Sequence, residues 1–202
     1  MRIGIFGGSF NPVHEGHLAL AKAAMSELNL NRVIFVPSYK TPLKAKEGLR
    51  PAPLRVRLLK RAIRRQPFFS VSLCEILRQG ESFTVDTLRY FKKKFGRQTV
   101  LYFLTGADNL NTLPRWKSVK EIFRLCRFVV MTRPGYKLRQ NTRRPVLYVP
   151  FAALEVSSTA LRKQLSGLSA KKRGGLNSNS NLCFFQPRKL RSHLRGFASK
   201  PV

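Results

Sequence analysis

The sequence predicts an open, doubly wound α/β sheet whose strands are mainly parallel. Short apolar segments of strand length alternate along the chain with longer segments whose apolar residues recur at helical spacing. The first strand, helix and strand fit into about 35 residues, the length typical of two parallel strands joined by a crossover helix. With 202 residues, 43% of them hydrophobic, the chain is long enough to bury the core of such a domain.

The first of these units covers residues 3–36. Ile3–Phe6 is the first predicted strand, and Val33–Val36 is the second, ended by Pro37. The segment between them has the apolar spacing of a helix, formed by Leu18, Ala21, Met25 and Leu28.

The alternation continues after a loop at residues 38–50 that is rich in lysine and proline. Pro51 and Pro53 mark the start of a second helix, whose apolar face is formed by Leu54, Leu58, Ala62 and Ile63. A third helix is predicted over Thr84–Phe95, with Val85, Leu88, Phe91 and Phe95 turned inward. The remaining predicted strands are Phe68–Leu73, Val100–Leu104, Phe128–Met131 and Val146–Val149.

Two further helices are predicted from their start signals. Ser118 and Glu121 have the spacing of a capping box, which opens a helix ending near Cys126. The segment Ser157–Thr159 can cap a last helix that runs through Leu165.

The regular pattern stops at about Gly167. We therefore predict a domain over residues 1–167 and a basic tail over residues 168–202, which is flexible or divergent. Glu155 is the last acidic residue, and ten of the 39 lysines and arginines follow residue 159.

Composition restricts the class of protein. The net charge of +30 favours polyanionic ligands but does not identify one. No apolar segment approaches the ~20 residues that span a bilayer, so we expect no membrane partner. The N-terminus lacks the features of a signal peptide. Cys74, Cys126 and Cys183 are widely spaced without a CxxC pair, so we expect reduced thiols and a cytoplasmic protein.

The stretch GGSFNPVHEGHL, residues 7–18, carries the first functional signal. Two glycines let backbone N–H groups approach a ligand, Ser9 adds a hydroxyl, and the following helix N-terminus favours an anion. His14 and His17, three residues apart, can lie on one side of that site and hydrogen-bond phosphate oxygens. Two core histidines or a metal pair are the alternatives, although HxxH alone is a weak metal signal.

This stretch resembles the HxGH motif of the nucleotidyltransferase superfamily, in the form typical of adenylyltransferases that act on nicotinate or nicotinamide mononucleotide. Four later stretches resemble the bacterial nicotinate-nucleotide adenylyltransferase pattern in the same order: SFTVDTL (82–88), GADNLNTLPRWK (106–117), VVMTRPG (129–135) and VSSTALR (156–162). The resemblance covers residues 1 to about 167. It implies a Rossmann-like nucleotidyltransferase fold.

The resemblance also implies a reaction, in which the adenylyl group of ATP is transferred to nicotinate mononucleotide to give deamido-NAD and pyrophosphate. Its catalytic residues would be His14 and His17. The implied partners are ATP and nicotinate mononucleotide, with Mg²⁺ held mainly by ATP phosphates rather than by protein ligands. Preference for nicotinamide mononucleotide, or a basic nucleic-acid-binding protein, are the alternatives. We expect no specific nucleic acid, although the tail could bind polyanions non-specifically, and the oligomeric state is left open.

Further roles follow from the matched positions. ATP and its phosphates would be bound by Gly8, Ser9, Phe10, Asp108, Ser157, Ser158, Thr159 and Arg162, and nicotinate mononucleotide by Lys44, Thr84 and Trp116. Asp108 could cap the short helix Asn109–Thr112, in place of the ligand role or together with it. Trp116 could be a packing anchor, and the Ser157–Thr159 segment could be a plain helix cap.

The sequence departs from the family in three places. Leu43 replaces the usual histidine of the PxHK loop, and Phe83 stands where tyrosine is common. After Gly167 nothing resembles the family's closing helix, for which a shifted reading frame or real divergence is our hypothesis.

Overall fold

The computed structural model describes residues 1–42, 48–132 and 146–150. The chain separates into two units, Met1–Ser166 and Gly167–Val202, and every described residue belongs to the first. The predicted helix at Ser157–Thr159 and the predicted tail lie outside the described residues.

Strands and helices alternate along this unit. The strands are β1 (Arg2–Gly8), β2 (Arg32–Pro37), β3 (Phe69–Val71), β4 (Val100–Gly106), β5 (Arg127–Thr132) and β6 (Val146–Pro150). The helices are α1 (Glu15–Glu27), α2 (Ala52–Ile63), α3 (Cys74–Arg78), α4 (Thr84–Phe95) and α5 (Val119–Leu125). Two 3₁₀ turns, Ala107–Asn109 and Leu113–Arg115, connect β4 to α5. None of these described helices has the length and apolarity needed to cross a bilayer.

The six strands form one sheet in the order β3-β2-β1-β4-β5-β6. Every neighbouring pair is parallel, which confirms the predicted sheet. The chain moves outward from β1 in one direction through β2 and β3, and in the other through β4 to β6. Such a reversal of strand order leaves a crevice at the carboxyl ends of the two central strands, β1 and β4.

Both faces of the sheet are buried, because side chains alternate along each strand. Phe6 and Phe35 contribute to one core with α1 and α2. Ile5 and Ile34, one residue earlier in each strand, contribute to a second core with α4 and α5. Helices on both faces explain why the strands are continuous apolar runs rather than alternating ones.

Two elements differ locally from the sequence prediction, the third strand and the helix α2. The third strand covers only Phe69–Val71, because the chain turns into the short, unpredicted helix α3. In α2 the buried side chains are Leu59, Ile63 and the charged Arg55, which occupies the same helix face.

The predicted capping box before α5 is wrong. Ser118 does precede the helix, but its backbone is left-handed (φ 53°) and its side chain makes no capping hydrogen bond. The carboxylate of Glu121 instead accepts two hydrogen bonds from the Arg89 guanidinium, at 2.7 and 2.6 Å. Arg89 of α4 therefore binds the Glu121 carboxylate that a capping box would have used.

Candidate active site

A cavity of about 220 Å³ lies at the carboxyl ends of β1 and β4, where the strand order reverses. Most of its lining comes from the turn after β1, the loop after β2, the start of α4 and the connection from β4 to α5, and α3 adds Glu75. Five predicted site residues are among its lining: Gly8, Ser9, Thr84, Asp108 and Trp116. Residues that are up to 108 positions apart in the sequence are thus brought to one site.

The turn after β1 is fixed by backbone and aromatic contacts. The Gly8 carbonyl accepts a hydrogen bond from the Ser38 N–H at 2.9 Å. Phe10 adopts a left-handed backbone (φ 45°), which is unusual for a large side chain. Its ring is buried against Phe6 and Phe35, with centroids 5.5 and 5.7 Å away. Phe10 is not part of the cavity lining; its side chain anchors the turn, so only its backbone could contact a ligand.

His17 is held in one orientation. Its Nδ1 accepts a hydrogen bond from the His14 backbone N–H at 3.2 Å, and its ring packs edge-on against Phe10 at 5.1 Å. A neutral imidazole whose Nδ1 accepts a hydrogen bond carries its proton on Nε2. His17 therefore presents an N–H donor on the side of the ring away from the α1 backbone.

His14 lies directly before α1 as its N-cap residue, with its ring centroid 3.8 Å from that of His17. Desolvation by burial lowers the pKa of His14 to about 4. His14 precedes α1 and His17 lies in its first turn, and neither histidine is part of the cavity lining. The pair therefore borders the site at the α1 N-terminus, where an anion is favoured.

The opposite part of the lining is the start of α4. Thr84 is the first residue of this helix, whose first N–H groups have no partner within the helix. The Lys117 ammonium lies 4.6 Å from the Phe83 ring centroid and 3.6 Å from Asp86 Oδ2. The N–H groups of Asp86 and Thr87 already donate to the Phe83 carbonyl at 3.2 and 3.3 Å, so a small carboxylate beside Lys117 would be received by the N–H groups of Thr84 and Val85.

Trp116 has the contacts of a packing anchor and also lies in the cavity lining, whereas its stacking on a ligand stays a prediction. The indole N–H donates to the Thr112 hydroxyl at 3.2 Å, and the ring meets Phe103 and Phe128 edge-on, with centroids 5.9 Å away. It also lines the cavity. These contacts fix the ring while one part of it stays available to a ligand.

Asp108 lines the cavity from inside the 3₁₀ turn Ala107–Asn109, whose N-cap residue is Gly106. The alternative role as a helix cap is therefore wrong. A Cβ at Gly106 would approach the Asp108 carboxylate to 2.6 Å, so glycine is required for Asp108 to keep this position.

Glu75 is a lining residue that sequence reasoning missed. Its side chain is buried, and its Oε1 accepts a hydrogen bond from the Thr87 hydroxyl at 2.5 Å. Desolvation raises the pKa of this carboxyl, and hydrogen bonds from Thr87 and Ser82 partly oppose the rise. The only sequence signal is an acid inside the apolar run LCEIL, which was not assigned a role.

The remaining predicted site residues lie outside the described residues: Lys44, Ser157, Ser158, Thr159 and Arg162. Leu43, the departure from the family's usual histidine, is outside them as well. The proposed roles of all these positions stay predictions.

Within the described ranges, no group of three or more His, Cys, Asp or Glu side chains could hold a metal ion. The carboxylates that line the cavity are Asp108 and Glu75. Burial favours the neutral form of Glu75, which leaves Asp108 as the better oxygen donor. This donor set fits a divalent ion that is held mainly by a ligand's phosphate oxygens.

A Rossmann-type sheet with this strand order, and a histidine pair at the turn after its first strand, is the arrangement that the resemblance to the nucleotidyltransferases implies. The cytidylyltransferase-like family model matches residues 5–164 of the chain. The "probable nicotinate-nucleotide adenylyltransferase" of Thermoanaerobacter sp. (strain X514) is 40% identical, and the alignment covers 83% of this chain and 84% of that protein. The chain therefore belongs to the cytidylyltransferase-like family and, within it, to the nicotinate-nucleotide adenylyltransferases.

Further comparisons agree. The protein of the same name from Moorella thermoacetica is 41% identical, with 80% of this chain and 79% of that protein covered. A solved structure of Plasmodium falciparum nicotinic acid mononucleotide adenylyltransferase, complexed with NaAD, superposes with a TM-score of 0.64. It is 20% identical, with 80% of this chain and 82% of that chain covered. At that identity the structural likeness supports the fold alone.

Proposed function

We propose that this protein transfers the adenylyl group of ATP to nicotinate mononucleotide, forming deamido-NAD and releasing pyrophosphate. The observation that carries the proposal is a single cavity that joins the Gly8–Ser9 turn to the start of α4 and to Trp116. Such a cavity could hold a phosphate chain at one side and an aromatic carboxylate at the other. The relatives' names give nicotinate nucleotide as the substrate and adenylyl transfer as the reaction.

The reaction needs no nucleophile from the protein. A phosphate oxygen of the mononucleotide attacks the α-phosphorus of ATP, a new O–P bond forms, and the bond between the α-phosphorus and the bridging oxygen breaks. The electron pair leaves with pyrophosphate. The protein would contribute mainly by aligning the two phosphates and by stabilising the negative charge of the transition state.

The Nε2–H of His17 is the donor that we assign to this charge. The hydrogen bond from the His14 N–H to Nδ1 of His17 fixes the tautomer, and the contact with Phe10 fixes the ring plane. Because donor and ring are set before the substrate arrives, little reorganisation is needed in the transition state. Backbone N–H groups of the turn after β1 would complete the phosphate site.

Mg²⁺ is the divalent ion that we expect with ATP, with Asp108 as the described carboxylate able to contact it. When bound, such an ion neutralises phosphate charge and polarises the α-phosphate. The protein's own part at this position is to present the Asp108 carboxylate at the cavity wall.

Selection of nicotinate over nicotinamide would depend on the start of α4. The N–H groups there and the nearby Lys117 favour an anionic carboxylate over a neutral amide. We assign Trp116 to stacking on the pyridine ring. Phe83 contributes apolar surface where the family commonly has a tyrosine hydroxyl.

The test is an assay of the purified protein with ATP, Mg²⁺ and either mononucleotide, following pyrophosphate release. We expect turnover with a preference for nicotinate mononucleotide. Turnover with the nicotinamide compound alone would overturn the assigned specificity, and no turnover with either compound would overturn the proposed function.

The alternatives from the sequence are not favoured by the comparisons, which return adenylyltransferases named for nicotinate. Cytoplasmic localisation and the boundary near residue 167 stay proposals. The boundary is tested by limited proteolysis, which we expect to cleave first on the C-terminal side of residue 167.

A further inference from the structure

We propose that Arg55 is a positioning residue for the phosphate-binding turn, fixing the peptide groups of Ser9 and Phe10 so that they can receive ATP. This inference rests on the proposed function, since it takes the ATP phosphates as the anion. It concerns a residue of α2, a helix that contributes no residue to the cavity lining.

Arg55 connects two segments through their backbone carbonyl groups. Its Nη1 donates to the Ser9 carbonyl at 2.7 Å, and its Nε donates to the Arg50 carbonyl at 2.9 Å. Asn11 reinforces the link, because its Oδ1 accepts from the Arg50 N–H at 3.1 Å and its Nδ2 donates to the Gly48 carbonyl at 2.8 Å. The turn after β1 is thereby tied to residues 48–50 by four hydrogen bonds.

The position of the Arg55 guanidinium is energetically unfavourable for a charged group. The side chain is 1% exposed, and none of the ion pairs among the described residues involves it. It also lies near the N-terminus of α2, where the helix dipole disfavours a cation. Burying a guanidinium charge that has no carboxylate partner among the described residues is unfavourable. Packing alone would be served better by leucine or methionine at this position.

The bond to Ser9 has a direct consequence for the ligand site. The C=O and N–H of one trans peptide unit point in opposite directions. Fixing the Ser9 carbonyl on Arg55 therefore turns the Phe10 N–H away from α2. In the preceding unit, the bond between the Gly8 carbonyl and the Ser38 N–H similarly turns the Ser9 N–H away from Ser38. Two successive N–H donors are set in this way without help from a ligand.

The test compares three variants with the wild-type protein. Arg55→Met removes the charge and both hydrogen bonds at similar volume, and Arg55→Lys keeps the charge without the planar fork. Arg57→Met is the matched control, because Arg57 is exposed on the same helix. For each protein we would measure the Kd of ATP by calorimetry, the KM of both substrates, kcat and the melting temperature.

We expect Arg55→Met to raise the Kd and KM of ATP by about tenfold or more, the effect of losing a charged hydrogen bond. The KM of nicotinate mononucleotide should change less than about twofold, because α2 packs in one core of the sheet while α4 and Trp116 pack in the other. Arg55→Lys should be intermediate, and Arg57→Met should match wild type. If Arg55 had only a structural role, Arg55→Met would weaken the binding of both substrates and lower the melting temperature.

An unchanged Kd of ATP in Arg55→Met, or an equal loss of affinity for both substrates, would overturn the proposal. If Arg55→Met does not fold, Arg55→Lys decides: wild-type ATP affinity in that variant contradicts the need for the guanidinium fork. Binding of ATP is measured separately from turnover. An Arg55-dependent Kd in a protein without adenylyl transfer would therefore contradict the proposed function but not this inference.

Discussion

The orientation of His17 is the residue-level feature on which the proposed chemistry depends most. The bond at Nδ1 and the contact with Phe10 leave Nε2–H as the only donor of a neutral ring. A neutral imidazole fixed in this way can act through Nε2 as a hydrogen-bond donor rather than as a proton acceptor.

We therefore expect His17→Ala to lower kcat by about 100-fold or more, the typical cost of one transition-state donor. The melting temperature should fall only slightly, because His17 is partly exposed. Steady-state kinetics and thermal denaturation check the two statements. Lys22→Ala, an exposed substitution on the same helix, should keep wild-type kcat; near-wild-type activity in His17→Ala would contradict the mechanism.

His14 makes stability depend on pH. Its pKa is about 4 in the folded protein and 6.5 as the ordinary value, so the unfolded chain binds the proton first as pH falls. Stability is thus lost between pH 6.5 and pH 4 and is recovered as pH rises through this window. The contribution should be about 1 kcal/mol after allowance for partial exposure.

Urea denaturation at pH 7 and pH 5 tests the contribution of His14 to the free energy of unfolding. We expect the wild-type protein to lose more free energy of unfolding between the two values than His14→Gln, which cannot titrate. Equal losses would show that His14 is not desolvated in the folded protein. The comparison between variants cancels the contributions of other groups, including the opposite trend of Glu75, whose raised pKa favours the fold at low pH.

Among the secondary-structure elements, the start of α5 is where local sequence pattern and structure disagree most clearly. The capping box predicts that the Ser118 hydroxyl stabilises the helix. In the structure the residue is left-handed and makes no capping bond, because Glu121 is bound to Arg89 of α4 instead.

Substitution at Ser118 distinguishes the two descriptions. The structure predicts no loss of stability in Ser118→Gly, and a gain of up to about 1 kcal/mol, because glycine adopts φ 53° without a Cβ penalty. A functioning capping box would instead give a loss of about 1 kcal/mol in Ser118→Ala. Urea denaturation of both variants is the measurement, and a loss of about 1 kcal/mol in Ser118→Ala with a smaller loss in Ser118→Gly would favour the capping box.

Strands and helices with strong periodicity were predictable from sequence, whereas contacts between distant segments were not. The bounds of α4 follow from its apolar spacing, and the predicted and observed ranges agree at Thr84–Phe95. The helix α3 has five residues, too few for a period to be visible. Its Glu75 reaches the site only through the fold, and a single sequence does not show that contact.

The site residues divide in the same way, into those that stand in a sequence motif and those whose contacts only the structure shows. Gly8, Ser9, Thr84, Asp108 and Trp116 were predictable because each stands in a motif, and the cavity brings them together. Arg55 was missed, although it lies four residues before Leu59 and eight before Ile63 on the buried stripe of α2. A charge on such a stripe is the signal in the sequence, but its partners are carbonyl groups of a turn that only the structure brings near.

For the whole molecule, the net charge of +30 dominates the electrostatics. Ion pairs among the described residues are three, and all involve Arg89 or Asp86 on α4. Exposed pairs of this kind contribute little to stability. Mutual repulsion of the remaining cations should therefore exceed ion-pair attraction, since a large net charge destabilises the compact state.

Because repulsion exceeds ion-pair attraction, the melting temperature should depend on salt in a definite direction. Raising NaCl from about 20 to about 200 mM shortens the screening length from roughly 20 to 7 Å, which weakens repulsion across the surface. The melting temperature of the protein without ligands should therefore rise. Sodium chloride is preferred to sulfate or phosphate, because multivalent anions could occupy the phosphate turn and stabilise the fold by binding.

Arg89→Ala is the control that separates the two electrostatic contributions. It removes the ion pairs with Asp86 and Glu121 and should melt with the same positive dependence on salt as the wild-type protein. If ion pairs dominated, wild-type melting temperature would fall with salt and Arg89→Ala would lose that dependence. The KM of ATP should meanwhile rise with salt in both proteins, because screening weakens the attraction of a cationic surface for a polyanion.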